Sequence, residues 1–108
     1  MKFFNSIRAS ALLGKGHKYL ERGRYQEALA NALKAKDLQL KPHFEWLCCA
    51  IEGKSRYHLG DSENALPALK RAQELLAAKP DAEKQARHFQ NIVNDIDNYI
   101  ARIEKGGE

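Results

Sequence analysis

Apolar residues recur along this chain at intervals of three and four rather than two. Ile7, Ala11 and Leu12 are followed by Tyr19 and Leu20; then come Tyr25, Ala28, Leu29, Ala32 and Ala35; further on stand Ala65, Leu66, Leu69, Ala72 and Leu76. Each set falls on one side of a helix of about 3.6 residues per turn, so each segment predicts a helix with one buried stripe. Strand signals are missing: there is no Asn-Gly or Asp-Gly hairpin turn and no period-two run of β-branched residues, while Ala, Leu, Lys, Glu, Gln and Arg dominate. Breakers at Gly23, Lys41-Pro42, Gly60-Asp61 and Lys79-Pro80 divide the chain into five helices near 4–22, 25–39, 43–59, 62–78 and 81–104. Gly23 and Gly60 suit the left-handed turn that ends a helix, the Asp61 carboxylate suits an N-cap, and Pro42 and Pro80 cannot prolong the helices before them. Connections this short make neighbouring helices antiparallel. The expected fold is all-α, a single domain.

The sequence also repeats. A shift of 37 residues superposes Gly16 on Gly53, Gly23 on Gly60, Ala28 on Ala65, Leu29 on Leu66, Lys34 on Arg71 and Ala35 on Ala72. These are the small residues and turn glycines that close helix packing and a tight turn demand. The pattern resembles the tetratricopeptide repeat family, whose motif places a small residue in a first helix, a glycine at the turn, then an aromatic and two alanines in a second helix. Gly16, Tyr19, Gly23, Tyr25, Ala28 and Ala35 occupy those positions in the first copy. In the second, Gly53, Gly60, Ala65 and Ala72 match, whereas Arg56 and Ser62 replace the two aromatics, with Tyr57 one residue beyond the first of them.

The resemblance implies a right-handed superhelix of antiparallel helix pairs, with repeats near 9–42 and 46–80 and a capping helix near 81–104. The family's usual period is 34, and the three extra residues here are expected to lengthen each second helix before Pro42 and Pro80. Two repeats are too few to bury a continuous core, so something must complete the stack. Ala86, Phe89, Val93, Ile96, Ile100 and Ile103, spaced 3, 4, 3, 4, 3, supply a stripe widened by Ile92 and Tyr99, opposite a polar side holding Arg87, Asn91, Asn94, Asp95 and Asn98. Tyr99, Ile100 and Ile103 are expected either to cover the repeats or to meet a second copy in a homodimer.

Composition sets bounds on the rest. The chain has 108 residues, 44% hydrophobic and 30% charged, with a formal net charge of +4, enough for one modest core and too little for a multi-layer enzyme cleft. No apolar run approaches the roughly 20 residues that cross a bilayer, and the N-terminal segment reaches Arg8 and Lys15 before any sustained apolar stretch, so a soluble, cytoplasmic protein is expected. Charge is uneven. Residues 1–41 carry a net +6, residues 42–79 none and residues 80–108 a net −2. The basic residues stand at helical spacing without interleaved exposed aromatics, which reads as a solvated helix face. A nucleic-acid-binding regulator using Lys15, Lys18, Arg22 and Arg24 is the alternative.

Catalytic constellations are not evident. Cys48 and Cys49 are neighbours whose side chains diverge by about 100° on a helix, which suits packing thiols better than a disulfide or a metal site. His17, His43, His58 and His88 lack metal-ligand spacing, and Gly14-Lys15-Gly16-His17 has neither the strand nor the Lys-Ser of a phosphate loop. No cofactor is called for.

A binding role follows from the family resemblance, whose groove lies along the first helix of each pair and holds an extended or helical peptide of another protein. Its groove positions fall here on Leu13, His17, Leu20, Leu47, Ala50, Lys54 and Tyr57, with Arg87, Gln90, Asn91 and Asn94 of the last helix closing the same groove. The carboxylate clamp of the family's chaperone-tail binders is not reproduced, since Leu13, His17 and Ile51 stand at its positions. An apolar or amphipathic peptide bearing one acidic group, met by Lys54 and Arg87, fits better. Trp46 is expected to anchor the core between the repeats.

Overall fold

A computed structural model describes residues 2–38, 40, 42–78 and 90–106 of the chain. All the regular structure among these residues is helical: α1 (Lys2–Glu21), α2 (Tyr25–Lys36), α3 (Pro42–His58), α4 (Ser62–Ala78) and α5 (Gln90–Glu104). α1, α3 and α4 start and stop where the breakers place them, to within a residue or two, and α2 starts where expected. The predicted start of the last helix, with Arg87, lies outside the described residues.

The turns that end α1 and α3 are built alike. Gly23 and Gly60 both take positive φ, at 76° and 86°. At the first, Gly23 N–H donates to Leu20 O (3.1 Å) and Arg24 N–H to Tyr19 O (2.8 Å); at the second, Gly60 N–H donates to Tyr57 O (3.1 Å) and Asp61 N–H to Arg56 O (2.8 Å). This pairing satisfies carbonyls that the helix end would otherwise orphan, and it requires a residue free to adopt the left-handed conformation. The next helix then begins identically, with Ala28 N–H on Arg24 O and Ala65 N–H on Asp61 O, each 3.0 Å. Asp61 also receives the Asn64 N–H on its carboxylate at 3.3 Å, the expected cap. Pro67 lies inside α4 with its ring side exposed, and the helix continues past it.

One expectation is corrected in the first unit. α2 stops at Lys36, with Asp37 as its C-cap and Leu38 N–H folding back onto Ala35 O at 3.0 Å. The extra residues of this unit therefore fall in the connection before α3 and do not lengthen α2. Only α4, at 17 residues, has the longer second helix.

Packing runs in series. α1 contacts α2 and α3, α2 contacts α3, α3 contacts α4 and α5, and α4 contacts α5. α5 thus meets α3 and α4 as α3 meets α1 and α2. The core between them holds Leu13, Trp46, Cys48, Ile51, Leu69, Ile92 and Ile96, all essentially without solvent exposure. Alanines at 28, 32, 35, 65 and 72, fully buried, let the helices approach closely. Trp46 is a core residue, as its neighbourhood predicts. No described helix is long and apolar enough to cross a membrane.

Candidate functional site: the face shared by α1, α3 and α5

The first helix of each pair and α5 lie side by side, and their common face gathers polar and aromatic side chains. Lys54 and His58 are one turn apart on α3, and Asp95 and Tyr99 are one turn apart on α5. The two pairs meet as two rungs. Lys54 Nζ donates to Asp95 Oδ2 at 2.7 Å, and a 2.6 Å hydrogen bond joins His58 Nε2 to the Tyr99 hydroxyl. Rings surround the second rung: Tyr25 stacks on His58 with centroids 4.3 Å apart, and Tyr57 tilts against Tyr99 at 4.9 Å. Lys54 Nζ and the Arg102 guanidinium lie 5.3 and 5.5 Å from the Tyr99 ring centroid, within cation–π range.

Electrostatics favour uncharged forms here. Burial lowers the His58 pKa, helped by Lys54 and Arg102 and opposed by Asp95. Burial likewise lowers that of His17, with Glu21 raising it and Lys54 lowering it. The Tyr99 phenol is pushed up, first by burial and then by Asp95. The face therefore offers the neutral His17 and His58 imidazoles and the Tyr99 phenol beside two cations, Lys54, whose charge is met by Asp95, and Arg102.

The groove residues expected from sequence divide into two groups. His17, Lys54 and Tyr57 are brought together on this face, His17 carrying Glu21 at 3.6 Å, and Asn91 is exposed on α5. Leu13, Leu20, Leu47 and Ala50 are core residues, between 0 and 6% exposed, and pack between helices instead of lining a groove. Burial of their apolar surface in the core leaves almost nothing for a ligand to cover. Arg87 lies outside the described residues. Asp95, Tyr99, His58 and Tyr25 complete the face and were not expected there. The matching four-residue spacings of Lys54/His58 and Asp95/Tyr99 are visible in the sequence, but their register across two helices is not. Lys54 also has its acidic partner within the chain, where an acidic group of a ligand was expected.

Away from this face, a cavity of about 210 Å³ is lined by Lys36, Leu40, Glu45, Cys48 and Cys49. Cys48 Sγ donates to Ala32 O at 3.1 Å. Burial, reinforced by neighbouring charge, pushes the Cys48 thiol up to about 12 and the Cys49 thiol to about 11, so neither presents a thiolate at neutral pH. Glu52, nearly buried, meets Lys36 at 3.5 Å and Arg56 at 3.0 Å. No group of His, Cys, Asp and Glu suited to a metal ion occurs among the described residues. No family model, curated protein or solved structure matches this chain.

Proposed function

We propose that the chain is a non-catalytic protein–protein interaction module, an adaptor, scaffold or assembly factor, that takes a peptide or helix of a partner protein along the α1–α3–α5 face. In this reading the helices form a right-handed, tetratricopeptide-like superhelix of two antiparallel pairs, and α5 stands where a third pair would begin. The observation that carries it is the serial contact of α1, α3 and α5, with His17 near Lys54, and Lys54, Tyr57 and His58 against Asp95 and Tyr99. The partly exposed rings of Tyr25, Tyr57 and His58, set over the buried Tyr99, suit peptide recognition, because such rings contribute apolar contact and directional hydrogen bonds with little loss of side-chain freedom. The raised thiol pKa values of Cys48 and Cys49 argue against a cysteine nucleophile.

The test is affinity capture from a lysate of the cells that make the protein. Wild type is compared with a Tyr57→Ala, Arg102→Glu double variant, each first shown to have unchanged helicity and melting. A protein retained by wild type and lost from the variant supports the reading. Equal retention by both, or recovery of RNA alone, contradicts it.

A further inference from the structure

The two ends of the helix stack differ in chemistry. At one end α5 turns Asn91, Asn94, Asp97, Asn98 and Arg102 outward, a polar surface. At the other, α1 and α2 enclose a cleft of about 570 Å³ lined by Arg8, Ala11, Leu12, Lys34, Asp37 and Leu38. Ile7 stands one turn before Ala11 on α1, and Leu33 one turn before Asp37 on α2. They are 53% and 37% exposed, and they are two of the three large hydrophobic side chains exposed among the described residues. An apolar surface left open beside charged residues marks a docking site more often than a solvated face.

Basic side chains predominate around this cleft, where Asp37 is the one acidic residue of the lining. Arg8, Lys15, Lys18 and Arg22 follow Ala11's spacing along the exposed side of α1, at intervals that keep them on one stripe. Neither these four nor Lys34 forms an ion pair among the described residues, whereas Arg24, Lys36, Lys54, Arg56, Lys70 and Arg71 are all paired. Most of the net +6 of residues 1–41 is therefore uncompensated on one ridge above an apolar floor.

We propose that this end of the stack is a second docking surface, and that its occupant is an acidic amphipathic helix of a partner protein. The stripe from Arg8 to Arg22 runs about 21 Å at roughly 1.5 Å per residue, the length of a helix of four turns. Such a helix lays leucine-type side chains at i, i+3, i+4 and i+7 into the cleft and turns its carboxylates to the Lys and Arg ridge. A second copy using the same surface would set cation against cation. Nucleic acid fits less well, because among the described residues no aromatic ring lines the cleft to stack on a base, and the Leu12, Leu38, Ile7 and Leu33 surface would stay uncovered.

The experiment uses full-length protein and a fluorescein-labelled synthetic helix with leucine at the four positions and glutamate between them. Controls are a twin with lysine for glutamate, a uridine oligoribonucleotide and phosphatidylserine vesicles. Two variants at exposed positions, Arg8→Glu with Lys34→Glu and Ile7→Ser with Leu33→Ser, separate charge from apolar contact. The expected result is saturable binding of the acidic helix that weakens with added salt and falls at least about tenfold in each variant. Amide shifts should then centre on Ala11, Leu12 and Leu38. The proposal is overturned if the acidic helix does not bind, if the lysine twin binds equally, if either variant binds as wild type does, or if RNA or vesicles bind more tightly. It is also overturned if the shifts centre on Tyr57 and Tyr99, which would assign the acidic helix to the α1–α3–α5 face.

Discussion

Where α1 ends, the Arg24 guanidinium lies 5.0 Å from the Tyr19 ring centroid; at the equivalent place after α3, Arg56 reaches Asp61 across 3.3 Å. Residues 19 and 24 in one unit correspond to 56 and 61 in the other, so an ion pair ties the second turn where a cation–π contact ties the first. The aromatic missing at Arg56 is thus replaced by a different interaction at the same pair of positions, which sequence comparison alone records only as a mismatch. Glycines show the converse. Gly16 and Gly53 align in the repeat, yet a Cβ at Gly53 would stand 2.5 Å from Leu69 Cγ, whereas at Gly16 its nearest neighbour would be Asn31 Cβ at 3.5 Å. At Gly14 it would meet nothing within 4 Å. Gly53→Ala is therefore expected to lower stability by about 2 kcal/mol through overpacking against α4. Gly14→Ala should raise it by roughly 0.5–1 kcal/mol through helix propensity. Chemical denaturation of both variants against wild type checks the pair, and equal effects would show that α3 and α4 are not in this close contact.

α5 is joined to α3 by side chains whose spacing was readable and whose register was not. Lys54 is 13% exposed in its side chain and Asp95 38%, so the pair is partly desolvated at its lysine end and open at its carboxylate. A double-mutant cycle with Lys54→Met and Asp95→Asn is expected to give a coupling of about 1 kcal/mol, with additivity expected if the helices do not meet there. The second rung responds to pH. His17 and His58 have pKa values below their ordinary 6.5 in the folded chain, so the unfolded chain binds more protons near and below that pH. Their contribution to stability is complete above 6.5 and is lost as pH falls through the folded values. Wild type should thus lose melting temperature as pH falls below about 6.5, and His58→Gln should flatten that slope. An unchanged slope in the variant would place the titration elsewhere. Helix existence and most boundaries were legible because glycine, proline and periodicity act locally. The end of α2 was not, because its stop at Lys36 is set by the turn through Asp37 and Leu38 and not by Pro42.

At the scale of the whole chain, the sequence pattern predicts two units and a closing helix, and the five helices pack in series, each against the one before. Residues named for a groove by position alone divided according to burial: leucines and Ala50 went to the core, while His17, Lys54, Tyr57 and Asn91 stayed at or near the surface. Hydrophobicity was the discriminating signal, since a leucine on a helix contacted from two sides is buried first. The proposed binding face and the basic end surface lie on different sides of the stack, so two partners would not compete for the same side chains. The most direct measurement is amide hydrogen exchange of the full chain with and without a captured partner. Added protection in α3 and α5 around Tyr57, His58 and Tyr99 is the predicted result. Protection confined to α2 and α4, with α3 and α5 unchanged, would contradict a binding face built by α1, α3 and α5.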